Sequence, residues 1–183
     1  MGALQTFDED PSVGAMVVTG NERSFSVGAD IKELAGLSAG EMVGADRIAA
    51  FDRLQSLHKP VMAAVSGWCL GGGFELALGC DMIVAADTAR FGLPEVTIGV
   101  IPGAGGTQRL TRVVGKALAM EIVLNNRTLT AAEAMARGLV NQVHPVEAFL
   151  EAAVKLGNEL AGRAPLAVRI GKDMVRHAQE SFL

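Results

Sequence analysis

Two cysteines and three histidines in 183 residues leave little material for a disulfide framework or a metal centre. Cys69 and Cys80 both stand in apolar surroundings, and no charged-then-apolar leader opens the sequence, so an intracellular setting, cytoplasm or mitochondrial matrix, is expected. His58, His144 and His177 are far apart, which predicts neither a metal cluster nor a nucleophile–base pair. Basic residues are in deficit: the formal charge is −4, whereas nucleic acid or an anionic membrane calls for clustered Lys and Arg. The longest charge-free run, residues 60–74, is too short and glycine-rich for a bilayer, which needs roughly 20 apolar residues. No internal repeat or low-complexity linker is present. The phosphate-loop pattern is missing because no Lys-Ser or Lys-Thr pair follows a glycine run, and no stretch spaces its glycines as G-x-G-x-x-G, so nucleotide cofactors are unsupported. Ser66 lacks the G-x-S-x-G setting of a nucleophile elbow.

Half of the residues are apolar, and a chain of this length buries roughly 70% of its unfolded surface, enough for one ordinary core. Residues 15–19, 61–65 and 82–86 are short apolar runs bounded by Gly, Pro or Asp, which read as strands buried on both faces and hence paired in parallel. Ser38 with Glu41 forms a capping box, and Ile48, Phe51, Leu54 and Leu57 recur at helical spacing, predicting a helix over about 38–58 that stops before Pro60. A second helix opens in the glycine triplet and carries Glu75, and a third runs from about Gly106 to Val114. Thr130 and Glu133 repeat the capping box, and residues 146–161 and 166–177 read as two more helices separated by Ala164-Pro165. The pattern shifts near residue 115 from α/β (1–115, carrying the site) to mainly helical (116–183).

The densest chemistry lies where glycines flank two carboxylates. Leu70-Gly71-Gly72-Gly73-Phe74-Glu75 and Phe91-Gly92-Leu93-Pro94-Glu95 are followed by Ile101-Pro102-Gly103-Ala104-Gly105-Gly106-Thr107. Glycines let backbone N–H groups approach a ligand, and the first amides of a helix lack intrahelical acceptors. Bare amides beside an acid suit a reaction that builds an oxyanion while moving a proton. Taken singly, each feature has a plainer reading: a tight strand–helix turn, a first-turn acid favoured by the helix dipole, a loop carboxylate.

Taken together, these blocks resemble a known family. Residues 24–34 (Ser-Phe-Ser-Val-Gly-Ala-Asp-Ile-Lys-Glu-Leu), 59–67, 70–75, Cys80-Asp81, 91–95 and 101–110, continuing through 132–134 and 138–141, are similar in order and spacing to the enoyl-CoA hydratase/isomerase (crotonase) family over nearly the whole chain. The resemblance implies an α/β fold, a crotonase-like right-handed spiral of ββα units with a helical C-terminal part. It also implies a homotrimer or a hexamer and an enoyl-CoA or other acyl-CoA substrate, while the charge balance already argues against nucleic acid or a membrane as partner. Coenzyme A arrives as part of that substrate, so no separate cofactor or metal is expected. By the same resemblance the backbone N–H groups of Ala29 and Gly72 form an oxyanion hole for the thioester carbonyl. Glu75 orients and activates a water attacking Cβ, Glu95 exchanges the proton at Cα, and Gly103 helps position that water. Asp30, Ile31 and Lys32 line the CoA-binding stretch. Two carboxylates in one site also tend to split their proton affinities, leaving one acid and one base. Glutamates at both positions favour hydration over an isomerase, another acyl-CoA lyase or hydrolase, or an acyl-CoA-binding protein without turnover.

The departures cluster at the ends. Against the family's usual length the chain is expected to be truncated at both, lacking leading strands and closing helices. Val27 stands where a smaller residue is common, and Asn125-Asn126 replaces a frequent Thr-Gly. Trp68, Met42 and Ile98 are candidates to shape an acyl pocket, Trp68 being equally compatible with the core.

Overall fold

The structure is a computed structural model that describes residues 1–30, 51 and 53–180. The predicted helix over 38–58 falls mostly outside these residues, as do its Ser38–Glu41 cap and Met42; its described end, residues 53–55, is helical.

After helix α1 (Gly2–Glu9), strands come in pairs whose members go to different sheets. Strands β1 (Met16–Thr19) and β2 (Ser24–Ser26), β3 (Val61–Val65) and β4 (Trp68–Leu70), and β5 (Met82–Ala86) and β6 (Arg90–Gly92) are such pairs. The first members build one sheet, joined at its far side by β8 (Gln142–His144) in the order β1-β3-β5-β8, all parallel. The second members build another, β2-β4-β6, parallel and extended by antiparallel β7 (Leu129–Thr130). Each turn of chain thus adds one strand to each sheet, which is the spiral the resemblance implied. Between β4 and β5 the chain passes through helix α2 (Gly72–Gly79).

The unbroken apolar character of 61–65 and 82–86 follows from burial on both faces. Ala63, Val65, Ile83 and Ala85 join the main core with Phe74, Phe91, Leu110 and Ile122. The alternate residues Ala64, Val84 and Ala86 pack against Phe149 and Ala153 of helix α6 (Phe149–Ala161). The Phe74 and Phe91 rings lie 5.4 Å apart and tilted, tying α2 to the second sheet. Cys69 packs in this core as a small apolar group.

The remaining helices are α3 (Gly106–Val114), α4 (Lys116–Leu124), α5 (Ala131–Ala136) and α7 (Pro165–Glu180). The Thr130–Glu133 capping box is formed in both directions at the start of α5. Asn126 has φ 52°, the left-handed conformation a glycine would adopt without cost, and is the single non-glycine with positive φ among the described residues. Helix α7 is pinned through charge. Lys172 Nζ lies 2.7 Å and Arg176 Nη2 3.0 Å from the Asp81 carboxylate, whose Oδ2 also accepts from the Val61 amide at 2.8 Å. Its apolar Leu166, Ile170 and Met174, at helical spacing, remain exposed.

The short strands β2, β4, β6, β7 and β8 are not apparent in the sequence as apolar runs, because three residues or fewer carry almost no periodicity. No helix among the described residues is long and apolar enough to cross a membrane.

Candidate active site

Helix α2 is the site's scaffold. Its core side buries Phe74 and Ala77, and Glu75 is only 3% exposed although it bears a carboxyl group. Two amides compensate: Ala104 N–H and Gly106 N–H donate to Glu75 Oε1 at 2.7 and 2.8 Å. The loop before α3 therefore closes over the helix carrying the acid. Burial raises the Glu75 proton affinity above the usual carboxylate range, while the Gly106 and Ala104 hydrogen bonds and the charge of Arg109 pull it back.

Glu95 opens a one-turn 3₁₀ helix (Glu95–Ile98) that ends at Gly99. Its Oε1 lies 3.3 Å from where a Cβ on Gly71 would stand, so this carboxylate sits over the residue capping α2. Its Oε2 is buried without a hydrogen-bond partner among the described residues. Burial raises its proton affinity too, its own amide opposes, and the Glu75 charge adds to the rise. Because Gly71 caps the helix that carries Glu75, the Glu95 carboxylate over Gly71 brings the two glutamates into one locality, as their motifs suggested.

The third component comes from the turn after β2. Gly28 has φ +90°, and a Cβ there would meet the Gly72 nitrogen at 3.0 Å, so only glycine permits the Gly28-Ala29 turn to lie against the start of α2. Gly72 is the first residue of that helix, where the N–H has no intrahelical acceptor. Ala29 is exposed beside it. The Gly28 turn thus lies against the first amide of α2, and Gly71, which caps that helix, lies beside Glu95. Asp30 is exposed at the end of the same turn; Ile31 and Lys32 lie outside the described residues.

Gly103 is exposed, with open space around its Cα, one residue before the first amide that grips Glu75. The sequence reading missed Ala104 and Gly106 as the actual donors to Glu75, and Arg109 behind them. The available signal was the Gly-Ala-Gly-Gly run opening a helix, of which only Gly103 was given a role. Trp68 is 49% exposed and so is not core, and Ile98 is 48% exposed on the 3₁₀ turn. His58 pairs with Asp8 at the surface. Burial pushes the Cys80 thiol up to about 12, which removes it as a thiolate nucleophile. Among the described residues no group of three or more His, Cys, Asp or Glu side chains could hold a metal ion.

The arrangement sets an amide-bearing helix start beside two carboxyl groups, one fixed by the backbone and the other half-buried, with an oxygen unpartnered among the described residues. Comparison with known proteins agrees with that chemistry. The family model described as enoyl-CoA hydratase/isomerase matches residues 1–183. A Mycobacterium bovis protein named probable enoyl-CoA hydratase is 45% identical over 181 residues, covering 99% of this chain and 70% of the relative. The mitochondrial enoyl-CoA hydratase of Pongo abelii is 46% identical over 181 residues, and this chain spans 62% of its length. Among solved structures, an enoyl-CoA hydratase from Geobacillus kaustophilus superposes with a TM-score of 0.96 at 43% identity, over 99% of this chain and 70% of that one.

Proposed function

The chain belongs to the enoyl-CoA hydratase/isomerase family, and from that premise we propose that it adds water across the α,β double bond of a short or medium enoyl-CoA thioester. The observation that carries this reading is the convergence of Glu75 and Glu95 with the amide-bearing turns at residues 28–29 and 71–72.

As water adds, the Cα=Cβ π bond breaks and negative charge develops on the thioester oxygen. The Ala29 and Gly72 amides stabilise that oxygen, each such preorganised donor being worth about 10² to 10³ in rate. Glu75, with Oε1 fixed by two amides, turns its other oxygen to the water and takes up a proton as the C–O bond forms at Cβ. Gly103, beside that clamp, helps position the water. Glu95 delivers the proton to Cα, a role suited to a buried carboxyl whose proton is held by burial and by the neighbouring Glu75 charge. An isomerase needs only to move a proton between carbons; two glutamates placed for separate tasks favour hydration.

Asp30, Ile31 and Lys32 are the proposed contacts for the adenine end of CoA. The substrate brings its own handle, and the reaction calls for no further cofactor or metal. The exposed apolar face of α7 supports assembly into a homotrimer or hexamer. The proposed setting is the cytoplasm or the mitochondrial matrix, where acyl-CoA substrates occur.

Purified protein is expected to consume crotonyl-CoA, with Glu95→Gln lowering turnover by about 10² to 10⁴. Unchanged turnover in that variant would refute the role given to Glu95, and no hydration by the parent protein would refute the reading as a whole.

A further inference from the structure

Behind Glu75 lies a second layer. Arg109, on the first turn of α3, folds its guanidinium back over the loop that precedes its own helix. Its Nη1 donates to the Ala104 carbonyl at 2.6 Å. A Cβ on Gly105 would lie 2.5 Å from that same Nη1 and 3.1 Å from Cζ, so the guanidinium rests directly on the Gly105 backbone. Gly105 has φ +90°, which lets the chain turn there and brings the amides before and after it, Ala104 N–H and Gly106 N–H, onto one oxygen of Glu75. The Ala104–Gly105 peptide is the rigid unit between these two donors. Arg109 grips its carbonyl end.

We propose that Arg109 is a positioning residue for Glu75: by holding the Ala104 carbonyl it fixes the two-amide clamp on the carboxyl group that works on water. The inference deepens the hydratase reading and rests on it for the kinetic part. Arg109 does not touch the reacting atoms; its contacts are with backbone. Two charged groups bear on Glu75 from the elements packed around it, Arg109 of α3, which favours the ionised form, and Glu95 of the 3₁₀ turn, which shares its locality. Removing Arg109 leaves the like charge unopposed, so Glu75 holds its proton to higher pH.

The test compares the parent protein with Arg109→Met and Arg109→Lys by two readouts. In ¹⁵N-resolved NMR the Ala104 and Gly106 amide signals titrate with Glu75, a titration that Glu75→Gln abolishes. Arg109→Met is expected to move their midpoint to higher pH, and Arg109→Lys to leave it near the parent value. In crotonyl-CoA hydration, the acidic limb of the kcat/KM profile moves to higher pH in Arg109→Met. There kcat falls roughly tenfold to a hundredfold with KM little changed, since the loss is in orientation. Arg109→Lys recovers the limb but not the full kcat, because an ammonium lacks the planar fork. Parent-like midpoints and kcat in Arg109→Met would overturn the proposal. If that variant fails to fold, full kcat in Arg109→Lys does the same. The NMR arm stands even if the parent hydrates nothing, so failure of the hydratase reading and failure of this one are told apart.

Discussion

The two acids of the site are held in opposite ways. Glu75 rides on an eight-residue helix packed into the core, with one oxygen in two backbone hydrogen bonds and Arg109 bracing the loop that supplies them. Glu95 rides on a single 3₁₀ turn whose neighbours Ile98 and Ile101 are exposed, and its buried Oε2 has no partner among the described residues. An unpartnered buried oxygen costs about 1 to 3 kcal/mol, so a fold keeps one where function uses it. On the proposed reading the difference is a division of labour: the protein satisfies one oxygen of Glu75 itself, while Glu95 is left for the substrate.

Breaking each side separately sharpens this contrast. The largest effect is expected from the unsatisfied side: Glu95→Gln removes the proton donor and abolishes label exchange at Cα, whereas Glu75→Gln, still able to accept the two amide bonds, keeps its geometry and loses about 10² to 10³ in kcat. Equal residual rates in the two variants, measured by steady-state hydration, would erase the distinction. Next, Gly106→Ala places a Cβ 2.9 Å from both Cγ and Oε1 of Glu75, and a carboxylate displaced by about 1 Å is expected to cost about 10² in kcat with the fold intact by circular dichroism. Gly72→Ala, whose Cβ would find its nearest neighbour, Gly28 Cα, at an ordinary 3.7 Å, is the matched control and should lose far less.

Smaller effects concern pH. Both carboxyls have folded-state proton affinities raised above the ordinary value of 4.5, so the folded state binds these protons more tightly than the unfolded one. Their contribution favours folding below 4.5 and is lost as pH rises through the folded values. Glu75→Gln and Glu95→Gln should therefore melt at or above the parent temperature near neutral pH, with the gap closing in acid. A variant that melts lower at neutral pH than in acid, relative to the parent, would contradict the sign. Glu75→Gln should also let Glu95 ionise at lower pH, since a like charge has gone, which ¹³C-carboxyl titration reads directly.

Much of this was visible in the residues themselves. Strands β3 and β5 announce themselves because burial on both faces makes them continuously apolar, and the Thr130–Glu133 cap is written in two residues; β1, expected to be buried likewise, is an edge strand with only Met16 fully buried and Thr19 exposed. The glutamates and the glycine turns could be named from their blocks. What could not be read was the clamp: the Ala104 and Gly106 donors are backbone groups, blind to side-chain identity, and they reach Glu75 across about thirty residues of chain. Arg109 stood in the sequence only as a member of the 101–110 block, with no role of its own. The second sheet was hidden for a related reason, since strands of two or three residues owe their existence to neighbours and not to their own pattern.

Product analysis in heavy water reaches the central claim most directly. Crotonyl-CoA incubated with the protein in D₂O should give 3-hydroxybutyryl-CoA with oxygen at Cβ and one deuterium at Cα, the deuterium disappearing along with turnover in Glu95→Gln. Hydrated, Cα-labelled product formed at the parent rate by that variant, or no hydrated product from the parent protein, would contradict the account.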